Sequence, residues 1–106
     1  MHPISDKAEV AIDFPDKAYI GGFGRDCSFD ARADGDGMMI RLARTSGEKR
    51  EAEVHLHHFL FAGILDELAH SLDEREPIDE THRQPLLAAA RKLAAALERG
   101  TPLPAA

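Results

Sequence analysis

The sequence predicts an α+β domain: an antiparallel β-meander of three to four strands, followed by two antiparallel C-terminal helices packed on one sheet face. Three observations predict it. The hydrophobic period changes partway through residues 51–72. Ala52, Val54 and Leu56 alternate with Glu51, Glu53, His55 and His57, whereas Phe61, Ile64, Leu65, Leu68 and Leu72 recur at three and four. Alternation marks a half-buried strand, and spacing near 3.6 marks an amphipathic helix. A second stripe at helical spacing runs through Leu86, Leu87, Ala90, Leu93, Ala94 and Leu97. Between two alternating runs stands Asp34-Gly35-Asp36-Gly37, the local signature of a hairpin.

The elements follow in order. Residues 1–7 show no period and read as a loose N-terminal arm. Ala8, Val10, Ile12 and Phe14 alternate with polar or small neighbours, which predicts a strand ended by Pro15 and Asp16. Tyr19 to Gly24 is weaker, an irregular strand interrupted by Gly21, Gly22 and Gly24. In the next run Cys27, Phe29, Ala31 and Ala33 oppose Ser28, Asp30, Arg32 and Asp34. Its hairpin predicts a positive φ at Gly35 or Gly37. After it Met38, Ile40 and Leu42 turn inward, and Met39, Arg41 and Ala43 turn outward. Ser46-Gly47-Glu48 makes the turn into the strand at 51–57.

The first helix is predicted over 58–74, with Leu65 and Leu68 in the core and Pro77 blocking its continuation. The second begins between Asp79 and His82. Asp79 and Thr81 both suit an N-cap, and Thr81 with Gln84 fits a capping box. Pro85 belongs near the first turn, which favours the later start. Gly100 is suited to the left-handed position after a helix, and residues 101–106 read as a flexible tail.

Composition narrows the function classes. At 106 residues and 11.6 kDa, residues 1–106 make a single small domain. The net charge of −6 argues against nucleic acid and against an anionic membrane surface. No apolar run approaches the roughly 20 residues of a membrane span. His2, Pro3, Asp6 and Lys7 leave no apolar signal at the N-terminus, and the one cysteine, Cys27, suits a reducing compartment. The chain reads as cytoplasmic and soluble.

Three groups of residues invite a chemical reading. Glu53, His55 and His57 share one strand face, and two imidazoles with a carboxylate suit zinc. Same-face neighbours on a strand stand about 7 Å apart, however, so convergence on one ion demands a further ligand from elsewhere. Gly21, Gly22, Gly24 and Arg25 could turn backbone N–H groups and a guanidinium toward an anion or small ligand. They lack the lysine and hydroxyl of a P-loop, and a strand rather than a helix follows. Phe59, Leu60 and Phe61 are three consecutive large apolar residues at a helix start. They cannot all reach one core stripe, so Phe59 or Leu60 needs cover from another element or another chain. No nucleophile with an adjacent base is legible. The reading that follows is a non-enzymatic protein-interaction or regulatory domain, a homodimer with a possible protein partner and no cofactor. The alternatives are a small zinc-binding protein or metal-dependent enzyme at Glu53, His55 and His57, and an anion- or ligand-binding module at Gly21–Arg25.

Overall fold

The computed structural model describes residues 1–100; the tail expected at 101–106 lies outside the described residues. The fold is α+β, with antiparallel strands followed by two helices. The elements are β1 (His2–Pro3), β2 (Ala8–Phe14), β3 (Lys17–Phe23), β4 (Ser28–Ala33), β5 (Gly37–Arg44), β6 (Arg50–His57), α1 (His58–Asp73) and α2 (Glu80–Glu98). By backbone proximity the chain divides into two compact units, Met1–Leu68 and Ala69–Ala106, with the boundary inside α1.

In the first unit, β1-β4-β5-β6 form a four-stranded sheet, and β2 with β3 forms a separate ribbon. The expected meander is therefore continuous only from β4 to β6. The irregular strand near Tyr19 is a regular partner for β2, from Ala8 opposite Phe23 to Phe14 opposite Lys17. Pro15 and Asp16 make the two-residue connection, where the ring of Pro15 presets the first turn dihedral. The arm expected at 1–7 is tied down as well. His2 and Pro3 pair with Phe29 and Ser28, the Ile4 N–H donates to the Cys27 carbonyl at 3.0 Å, and Ile4 is buried.

The core of this unit is small. Ile4, Phe23 and Cys27 form it, with Ala8, Val10, Leu42 and Ala52 packed against them. Phe23 thus brings the end of the ribbon onto the Leu42 and Ala52 side of the sheet. Arg50 adds a polar tie, donating from Nη1 to the Gly22 carbonyl at 3.0 Å.

The hairpin between β4 and β5 forms where Asp-Gly predicts it, but by another device. Neither Gly35 nor Gly37 has a positive φ; among the described residues only Gly47 does, at 67° in the next turn. Instead the Asp34 carboxylate accepts the N–H groups of Asp36 and Gly37 at 2.8 and 2.9 Å. A side-chain acceptor of this kind closes a turn without a left-handed residue. Gly37 is needed for space rather than for its dihedral: a Cβ there would overlap the Leu56 carbonyl and the His57 backbone.

Each helix starts at a legible signal. α1 follows β6 without a connecting residue. α2 begins at Glu80, earlier than Pro85 suggested, because Asp79 is the cap and accepts the His82 N–H at 3.3 Å. Pro85 consequently lies inside the helix. Gly100 does not take the left-handed conformation expected of it; its N–H donates to the Leu97 carbonyl at 3.1 Å. No residue of α1 or α2 is buried. Leu65 and Leu68, expected in the core, are exposed, Leu68 to 55%. The 3.6 period fixes which residues share a stripe, and it does not supply the surface that covers them.

Candidate functional site

Register decides what the sheet presents. Asp30, Arg41 and Glu53 stand in one row, and Arg32, Met39 and His55 in the next, with His57 opposite Gly37. These rows form the polar face expected from alternation. Arg41 makes the firmest pair on it, reaching diagonally to Glu51 through Nε at 2.8 Å and Nη2 at 2.9 Å. The hydrogen bonds that Arg41 donates to Glu51 raise its pKa further above its already high value. Arg44 pairs with Asp26 at 3.1 Å. Ala43 lies on this face, in the row of Ser28 and Glu51, yet it is buried rather than open.

Glu53, His55 and His57 share the face as expected, but they are not gathered around one point. The His55 and His57 rings lie 4.9 Å apart between centroids, and His55 turns to Asp34, with Nε2 3.1 Å from Oδ2. Among the described residues no three His, Cys, Asp or Glu side chains are grouped to hold a metal ion. Asp34 is the residue the sequence reading missed here. Two backbone N–H donors, first of Asp36 and then of Gly37, hold its pKa below the ordinary carboxylate value, and His55 adds to this. Its position three residues before Gly37 gave the turn away, but only the β5–β6 register puts it beside His55.

Gly21 and Gly22 sit in the β2–β3 ladder, opposite Val10 and Glu9. Gly24 and Arg25 follow in a turn closed by the Cys27 N–H donating to the Gly24 carbonyl at 3.0 Å. The segment thus ends a strand and turns the chain into β4.

On the other sheet face, Phe29, Ile40 and Val54 are exposed. Between this face and the ribbon runs a groove of about 650 Å³ lined by Val10, Ile12, Tyr19, Ile20, Phe23 and Val54. Glu48, Arg50, Glu51 and Glu53 give it a charged border. Ile20 is 87% exposed, and Phe59 at the start of α1 is 96% exposed, with Leu60 beside it also open. The groove was not legible because the glycines of 17–23 left only an irregular strand without a partner; the Pro-Asp pair between Phe14 and Lys17 was the available signal for its pairing with β2.

Among the described residues no helix is long and apolar enough to cross a membrane. No family model, no curated protein and no solved structure matches this chain.

Proposed function

We propose that this chain is a non-enzymatic protein-interaction domain that works as a homodimer in the cytoplasm. One observation carries the reading: large apolar side chains stand open in a connected region of the first unit. Ile12, Tyr19 and Ile20 on the ribbon and Val54 on the sheet line the same groove, and all are exposed. Scattered apolar residues are normal on a surface, but a contiguous patch marks an interaction site. A core built on Ile4, Phe23 and Cys27 is also thin for a chain of this length, and association is the ordinary way to add burial. The single, buried Cys27 suits a reducing compartment.

The test is the solution mass at micromolar concentration. Light scattering should give about twice 11.6 kDa. A mass near 11.6 kDa throughout that range rejects the reading.

A further inference from the structure

Among the described residues the outer edge of β6 has no strand hydrogen-bonded to it, and its residues 50–54 border the groove beside the ribbon. β6 is the terminal strand of its sheet, pairs with β5 through all eight residues from Arg50 to His57, and contains no proline. Native edges are blunted by charged side chains, a bulge, a proline or a covering element, and β6 carries the first of these in Arg50, Glu51 and Glu53 without a bulge or proline. We propose, building on the homodimer reading, that β6 pairs antiparallel with β6 of a second copy, centred on Val54.

The register follows from charge. Centred on Val54, Glu53 faces His55 of the second copy, and Glu51 faces His57. The two-fold axis repeats both pairs. Centring on Glu53 would set that carboxylate against itself, and centring on His55 would set two imidazoles against each other. Opposite charge or hydrogen-bonding pairs across strands stabilise, and like pairs destabilise. On the other face the same register sets Val54 against Val54 and Ala52 against Leu56, covering a valine that is 48% exposed. The ribbon edges are poorer choices. Full-length self-pairing of β2 opposes Glu9 and Asp13, and β3 carries Gly21 and Gly22.

Cysteine scanning tests the geometry. Directly opposite residues in an antiparallel pair lie about 4.5–5.5 Å apart at Cα, inside the span of about 4.4–6.8 Å that a disulfide bridges. Val54→Cys should therefore form a covalent dimer on mild oxidation, whereas Glu53→Cys and His55→Cys, each displaced from its own copy, should form little. Unmodified protein, whose Cys27 is 4% exposed, sets the background. Charge reversal gives a second measurement. Glu53→Lys, which leaves the Arg41–Glu51 and His55–Asp34 pairs in place, should weaken the dimer about tenfold or more. A dimer by mass that is not crosslinked through Val54→Cys and is indifferent to the reversal overturns the edge pairing while leaving the homodimer intact. A monomer by mass overturns both.

Discussion

Asp34 shows how much one side chain can organise. Its carboxylate closes the β4–β5 turn by accepting two backbone N–H groups and also receives His55. Asp34→Asn keeps an acceptor but loses the charge, so it should lower the melting temperature less than Asp34→Ala; equal losses would remove the carboxylate from the turn. The glycines of the same hairpin separate two roles. Nothing lies within 4 Å of a Cβ built on Gly35, whereas one on Gly37 would meet the His57 Cα at 2.7 Å. Gly35→Ala should be neutral or stabilise by about 0.4–1 kcal/mol, by restricting the unfolded chain. Gly37→Ala should destabilise by about 1–3 kcal/mol, because backbone must move to admit the methyl. Urea unfolding of both variants checks the contrast, and equal midpoints would contradict the close approach.

At the scale of the element, α2 contains its own defect. Pro85 has no N–H to give the Thr81 carbonyl, and its ring crowds the preceding turn. Pro85→Ala should raise thermal stability, by up to about 3 kcal/mol if the helix is limiting. Circular dichroism melting measures it, and a fall in stability would mean that the proline serves a contact outside the helix. β3 presents the opposite case. Its glycines weaken any local strand preference, yet it pairs without a break because β2 provides a complete ladder and Phe23 anchors its end. Phe23→Ala should cost about 3–5 kcal/mol, since it empties the centre of a small core. An unchanged urea midpoint would show that the ribbon does not depend on it.

For the whole molecule, acid is the informative variable. Asp34, Asp79 and Glu80 are all held below their ordinary pKa, Asp34 first by backbone N–H groups, Asp79 first by the His82 side chain, and Glu80 first by Arg83. A depressed carboxylate stabilises the fold fully above its unfolded value, about 4 for Asp and Glu. That contribution falls away as the pH drops through the folded value. Stability should therefore decline below about pH 4, with a shallower slope in Asp34→Asn. A slope unaltered in that variant would assign the acid sensitivity to other groups.

By itself the sequence determined the local features of this protein. Alternation in 51–57 and the 3.6 period from His58 set both the elements and the junction between them, because period reports directly which side chains share a face. The row of Glu53, His55 and His57 was legible for the same reason. Asp79 was one of two caps the sequence offered, and Pro85 pointed away from it to a later start than the Glu80 observed. What tertiary structure alone decided was pairing and cover. His2 and Pro3 lie next to β4, a partner no local pattern names. Asp34 reaches His55 only because the register of two hairpins brings them together. Leu68 and Val54 stand open although their periods place them on apolar faces. Periodicity says where a side chain points, and burial depends on what another part of the chain, or another chain, brings to meet it.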